Sequence, residues 1–546
     1  MQTRQLIGLL GLLCWSSLAV AQNDLPSENV TVLNNFEAQL AESERVDLLP
    51  TLPQPDTSKS SQTYYVPTKI LPVDYPPPKI RPIAMRSEKL QKVYNGYAKA
   101  GVGLPNSFYG EGSYRVFLDK KLDLGFGLRH HSANQRSVEN QRFMENSVNA
   151  NGTYYFDQGF AVQGDLQYAA NDFYYYAYSL VDSVAENVNV DRLDVRQRYS
   201  LFEADFSLFN GSRTVGDFDY DVGANVYTLN DDYASSELGF NIELEATKWI
   251  QGQHAFDVVL LTDFTRFSDT AVQNLNNFYL QPAFTYHGDF FKAKIGANVV
   301  SHDDEFFVFP DAEVSVNVAN NYIIPFIGAT GTLQKNTMRT LTEYNPFLNT
   351  RLDIANTRFQ HYYGGIRGDA KILEYSGQFG YQQADGLALF LPTEPLDTVN
   401  FRQRFDVLYD TVTIYNILGT VSADLLDDLT VVGTINQNIY NTTTQEKAWH
   451  LPALTVNGTL IYTTMEDQLQ VKAELFFENG VPFINSAGEA DRLNSLFDIS
   501  LGAEYFFTDN IGGFLQINNL ANNRRERWQG YPTFGLNVLA GVSARF

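Results

Sequence analysis

Phe534-Gly535-Leu536-Asn537-Val538-Leu539-Ala540-Gly541-Val542-Ser543-Ala544-Arg545-Phe546 alternates almost residue by residue. Phe534, Leu536, Val538, Ala540, Val542, Ala544 and Phe546 are apolar, and most of the residues between them are small or polar. A period of two over this length predicts a β-strand with one apolar face and one wetter face. An apolar face on a strand of this length suits contact with lipid, and the same pattern recurs upstream.

Ala312, Val314, Val316 and Val318 alternate with Asp311, Glu313, Ser315 and Asn317. Leu469, Val471, Ala473 and Leu475 alternate with Gln470, Lys472 and Glu474. Phe497, Ile499, Leu501, Ala503 and Tyr505 alternate with Asp498, Ser500, Gly502 and Glu504. A Lys or Arg facing lipid at mid-membrane costs about 2–4 kcal/mol, so the charged face must line a lumen. Asp498 and Glu504 are accordingly expected to face inward.

Ten short polar turns punctuate these runs. They lie around Lys120-Lys121, Asp157-Gln158, Asn210-Gly211, Gly252-Gln253, His287-Gly288, Ala319-Asn320, Lys371-Ile372, Asp427-Asp428, Glu466-Asp467 and Asp509-Asn510. With one strand before the first turn, about Tyr94 to Gly103, and the closing strand after the last, the expectation is an all-β transmembrane antiparallel barrel of roughly 22 strands. The connections at the other end read as longer loops, about 171–196, 334–358, 384–409, 478–492 and 520–531, and belong outside the cell.

The chain opens differently. Arg4, the apolar run Leu6 to Leu13 and the small-x-small triplet Ala19-Val20-Ala21 predict a secretory signal over 1–21, with the only cysteine, Cys14, inside it. Residues 22–93 carry Pro50, Pro53, Pro55, Pro67, Pro72, Pro76, Pro77, Pro78 and Pro82. Such a stretch is expected to be extended, and to lie in the periplasm or inserted in the lumen, with the barrel running from 94 to 546.

The formal charge is −24, from 63 acidic and 39 basic residues. That balance argues against nucleic acid, whose phosphates need Lys and Arg clusters. Acidic side chains in a lumen would favour cationic or neutral solutes over anions. Phe and Tyr are abundant (39 and 32), as aromatic girdles at two membrane interfaces require. The mean hydropathy of −0.24 is compatible with membrane insertion, because a barrel hides its apolar surface by alternation.

Near the C-terminus the strand Phe497 to Phe506 is followed by Phe514-Leu515-Gln516-Ile517-Asn518-Asn519, then Arg527-Trp528, Tyr531-Pro532 and the final strand. This order resembles the end of the barrel of TonB-dependent receptors, particularly a plug-less, Bacteroidetes-type outer-membrane subgroup. Ala448-Trp449-His450-Leu451-Pro452 is similar to a segment of the same group, and the terminal Phe546 resembles the signal read by the barrel-assembly machinery of Gram-negative bacteria. The resemblance implies a receptor barrel in the outer membrane that takes part in solute transport. A non-transporting barrel that scaffolds an envelope complex is the alternative. The family places a globular plug before the barrel, and residues 22–93 carry no folded-domain pattern, so the lumen is expected to be obstructed by this segment, by folded-in loops or by a partner.

Glu28, Val30 and Val32, in Glu28-Asn29-Val30-Thr31-Val32-Leu33, loosely resemble the box that pairs with periplasmic TonB by strand addition. His302-Asp303-Asp304-Glu305 lacks the spacing of a calcium loop. His130-His131 should point to opposite faces, unable to share a metal. The aromatic run Phe173 to Tyr176 with Tyr178 reads as outer girdle. No nucleophile elbow, phosphate loop or zinc-helix motif is present, so no enzyme, cofactor or metal site is expected. The expected partners are outer-membrane lipid, the assembly machinery, TonB or another envelope protein, and a small solute.

Overall fold

All ten turns lie at hairpins that join neighbouring antiparallel strands, as at Leu118–Leu122 and Leu426–Leu429. The computed structural model describes residues 93–546, apart from 178–189, 213, 215, 303–304, 394–401 and 466. The signal segment 1–21, the proline-rich segment and the Glu28, Val30 and Val32 box therefore lie outside the described residues, as do Asp303, Asp304 and Tyr178. Twenty-two strands form one sheet. The last barrel strand, Asn537–Arg545, pairs with the first, Gly96–Leu104, which closes the cylinder. An even count lets first and last strands meet antiparallel. No helix among the described residues is long and apolar enough to cross a membrane, as a strand-built wall requires none.

The strand period sorts the side chains. In Ser236–Ile250, Leu238, Phe240, Ile242 and Leu244 point outward, while Glu237 and Asn241 point into the lumen. In the last strand Val538, Ala540, Val542, Ala544 and Phe546 share the outer face, whereas Leu539 and Ser543 are buried on the inner one. Phe534 and Leu536 precede the strand. Phe534 packs edge-on against Phe143, 5.5 Å away, and belongs to the loop rather than to the wall. The strand starts late because Asn519 Nδ2 donates to Phe534 O (2.9 Å) and Asn522 Oδ1 accepts from Leu536 N (2.9 Å), which holds that backbone in the turn.

Two long-loop boundaries also shift. The span 384–409 is largely strand: Leu373–Pro392 and Phe405–Leu426 pair for almost their whole lengths, through a bulge between Ala384 and Leu387, with 393–404 between them. These two strands are long enough to stand above a bilayer as a rim. The rim supports the connection 443–453, where Trp449, Ala448 and Leu389 form a small core.

The wall departs from regular pairing at one place. Glu305–Val316 pairs with Phe291–His302 over its full length, but with Ile324–Asn336 only from Asp311↔Thr330 to Ser315↔Phe326. Above Thr330 the latter strand parts from Glu305–Val316, stays paired with Ala355–Asp369 and packs across the inner face. Asn298 Nδ2 donates to Gly331 O (2.6 Å), Leu333 packs with Tyr279, Val300 and Phe309, and Lys335 Nζ reaches Asp263 (2.6 Å). Gly331 makes the crossing possible, since a Cβ there would stand 2.7 Å from the Phe309 ring. Gly331→Ala should therefore cost about 1–3 kcal/mol in urea unfolding from detergent micelles. Gly377→Ala, where the new carbon meets nothing within 4 Å, should be near neutral.

Candidate functional site: the capped mouth and the acidic chamber

The connections opposite the short turns fold together over the barrel mouth. One of them, 337–354, carries the helix Met338–Tyr344. Thr337 caps it, and Glu237 of the wall accepts from Met338 N (2.6 Å) and Arg339 N (3.3 Å). A carboxylate at a helix N-terminus satisfies orphan N–H groups and complements their partial charge. Met338 and Leu341 then face a core shared with Tyr175, Leu348, Phe390, Phe405, Trp528 and Tyr531.

The contacts in this core join loops far apart in sequence. Tyr175 Oη donates to Leu348 O (2.9 Å), and Tyr176 Oη donates to Pro532 O (2.9 Å). Tyr531 stacks on Phe347 with ring centres 3.8 Å apart and donates to Gln403 O. The Trp528 ring meets His450, Phe405, Phe390 and Tyr344 at 5.3–5.6 Å. The aromatic run at 173–176 is thus part of the cap, not an outer girdle; Tyr175 is 1% exposed. Periodicity could not show this, because the partners lie in other loops. The C-terminal and Trp449-His450 segments that carry the family resemblance converge here. The Asn518-Asn519 turn serves them: Asn519 takes a left-handed backbone (φ 52°), and its side chain binds Asn523 N and O at 3.0 and 2.8 Å.

His450 is fully buried in the cap. Its Nδ1–H donates to Phe390 O (2.8 Å), and its backbone carbonyl accepts from Arg527 (3.2 Å) and Tyr344 (3.3 Å). Burial, with a smaller push from Arg527, lowers its pKa to about 4. The unfolded loop binds a proton near pH 6.5 and the packed one near 4, so the packed cap is fully favoured above 6.5 and loses stability as pH falls toward 4. Between pH 7 and 5 the loss should be about 2 kcal/mol by linkage. Limited proteolysis of the loops should accelerate over that range, and His450→Gln should flatten the dependence.

Beneath the cap one side of the inner wall forms a half-open chamber of about 610 Å³. Asp165, Glu203, Asp205, Asp221, Glu243, Glu245 and Asp263 line it, seven carboxylates against the two cations Lys335 and Arg339, an excess of five. Arg339 holds Glu203 through two bonds (2.7 and 2.9 Å) and lies over the Tyr227 ring at 4.6 Å. Asn225 bridges Glu203 and Asp205 (2.9 and 2.6 Å), and Lys335 binds Asp263 and Thr265. The cap's own cations thus tie it to the acidic wall. No group of three His, Cys, Asp or Glu side chains among the described residues is arranged to hold a metal ion.

The other expected residues are dispersed. His130 bonds Asn146 (2.7 Å) and Ser132 (3.1 Å), while His131 packs against Tyr109 and Phe143. Glu504 accepts from Tyr97 Oη (2.9 Å), and Asp498 accepts from Ser500. Sequence reading missed Arg339 and Glu237 and gave Arg527 only as part of the resembling C-terminal order, because the spacing of all three to their partners follows no local pattern.

No family model and no curated protein matches the sequence. Among solved structures, the chain is similar to the FrpB iron transporter from Neisseria meningitidis (F5-1 variant), with TM-score 0.63 and 9% identity, over 84% of this chain and 83% of that one. It is similar to the siderophore receptor PiuA from Acinetobacter baumannii (TM-score 0.62, 10% identity, 84% and 82% covered). It is similar also to the pyoverdine outer membrane receptor FpvA from Pseudomonas aeruginosa PAO1 (TM-score 0.60, 11% identity, 84% and 79% covered). These neighbours are outer-membrane receptors and transporters, not enzymes. The chain shares with them the 22-strand barrel fold of the TonB-dependent receptors.

Proposed function

We propose that this barrel is an outer-membrane receptor of the plug-less kind, which admits a small cationic or neutral solute when its loop cap opens. The single observation that carries the reading is the layered lumen: a dry aromatic cap stands above a carboxylate-lined chamber. Carboxylates in a confined low-dielectric passage raise the local concentration of cations and exclude anions. The likeness to structures described as iron and siderophore receptors supports transport in kind, without naming a cargo.

On this reading residues 1–21 are a cleaved signal and 22–93 a periplasmic arm, and the barrel-assembly machinery inserts 94–546 into outer-membrane lipid. The segment with Glu28, Val30 and Val32 is the contact for TonB. Deleting Glu28 to Leu33 should abolish TonB pull-down, and unchanged recovery would remove that partner.

The tight packing of the cap also favours the scaffold alternative, in which the barrel never opens. Planar-bilayer recordings separate the two. The intact chain should be silent, and a cap-opened variant should conduct with a potassium-to-chloride permeability ratio well above unity. Asp205→Asn, Asp221→Asn and Glu243→Gln together should bring that ratio toward unity. A cap-opened barrel that still passes no ions would favour the scaffold.

A further inference from the structure

We propose that the incomplete pairing between Glu305–Val316 and Ile324–Asn336 is a lateral portal in the wall, which takes up an acyl chain of an outer-leaflet membrane lipid. Three features meet there. The first is the open edge. Among the described residues no strand pairs with Glu305–Pro310 on the side away from Phe291–His302. Pairing stops beside Pro310, a residue with no N–H to donate to a ladder.

That edge lies within the apolar belt. Phe306, Val308, Pro310, Ala312, Val314 and Val316 all fall on the outward face, and Phe306 and Val308 are 76% and 69% exposed. Ten residue steps in a tilted strand rise about 25 Å, the height of a barrel's hydrocarbon-facing band. The open part is the half away from the short turns, so it faces the outer leaflet.

The second feature is a hollow on the outer surface directly below the open edge. Its volume is about 510 Å³, and its lining includes Ala312, Val314, Ile327, Ala329, Tyr362 and Phe379. Ala312 and Ala329 are paired, one register step from the last seam pair, Asp311↔Thr330. The hollow lies over the paired wall just below the point where the strands part, where Ala312, Gly328, Ala329 and Gly364 leave room between larger side chains. In a bilayer the medium that meets this surface is hydrocarbon, and a void there forfeits dispersion contacts that a methylene chain restores.

The third feature lies behind the seam. Tyr279, Val300, Phe309 and Leu333 form an apolar cluster with Leu261 and Phe307 on the inner side. Leu333 comes from the strand that parts from the seam, so this cluster is the packing between the two sides of the seam. An acyl chain entering through the open edge passes from an apolar hollow to an apolar cluster. The portal does not depend on transport through the cap, because it opens to the bilayer instead of to the medium.

The test uses the full mature chain in nanodiscs doped with phosphatidylcholine that carries a diazirine at the end of one acyl chain. After irradiation and digestion, adducts should be about fivefold denser on 305–312 and 328–331 than on the outward control stretch Val538 to Val542. The inward residues Phe309 and Leu333 should also be labelled. Ala329→Trp, which fills the hollow, should bring labelling down to the control level, and Ala540→Trp should not. If Ala329→Trp fails to fold by heat-modifiable migration, Ala312→Leu replaces it. Uniform labelling around the belt with none on Phe309 and Leu333 overturns the proposal. So does a benzoylphenylalanine at Val308 that yields, in native membranes, a protein adduct in place of a lipid one, since the open edge then seats a partner's strand.

Discussion

Trp528→Ala should turn a silent barrel into a conducting one. The Trp528 side chain is 5% exposed, and it is the only ring that touches His450, Phe405, Phe390 and Tyr344 together among the described contacts. These four come from the connection 443–453, the two rim strands and the helix that follows Asn336. Removing a buried indole loses its transfer energy and leaves a cavity, together about 3–5 kcal/mol. The cap has no ladder of backbone bonds comparable to the wall's, so this loss falls on the packing that keeps the loops closed and not on the barrel. Single-channel recordings should show frequent openings for Trp528→Ala and none for Phe117→Ala, whose ring is 66% exposed on the outer face. Heat-modifiable migration should be unchanged in both, which separates an opened cap from an unfolded barrel. A Trp528→Ala protein as silent as the parent would mean that something other than the cap closes the lumen.

The wall was legible in the sequence because strand physics is local. A side-chain period of two, polar residues at each tight turn and the cost of a charge in lipid together fix which residues face out. Leu238 to Leu244 and Val538 to Phe546 follow that logic. The cap was not legible, because its cohesion is between residues with no common period. Tyr175 finds Leu348 across 173 positions and Gln141 finds Pro532 across 391. A run of tyrosines looks the same whether it meets lipid headgroups or other loops. In the span 384–409, expected as loop, Asp385-Gly386 and Pro392 carry turn chemistry, yet there they mark a bulge and a strand end. The open seam left two signals in the sequence, Pro310 within an apolar strand and Gly331 in its neighbour. Either alone is common in barrels; only the register shows that they act at the same height.

Arg527→Leu should loosen the cap as much as loss of the tryptophan, by a different physical route. Arg527 Nε binds Glu478 Oε1 at 2.7 Å, and the two side chains are only 18% and 8% exposed. Its guanidinium also donates to His450 O and to Tyr344 Oη, and it lies over the Trp528 ring at 4.7 Å. A buried ion pair contributes little net stability compared with a well-packed apolar pair, but breaking one from a single side strands a charge. The expected cost is about 3–5 kcal/mol, most of it the uncompensated Glu478 carboxylate. That origin makes a distinctive prediction. Arg527→Leu with Glu478→Leu should recover much of the loss, because the second change removes the stranded charge, whereas Trp528→Ala with Glu478→Leu should be no better than Trp528→Ala alone. Loop proteolysis rates for the singles and doubles measure the coupling directly. If Arg527→Leu is as damaging with Glu478→Leu as without it, then the arginine acts through its carbonyl and ring contacts, and the cap is held by the geometry of those three loops instead of by charge balance.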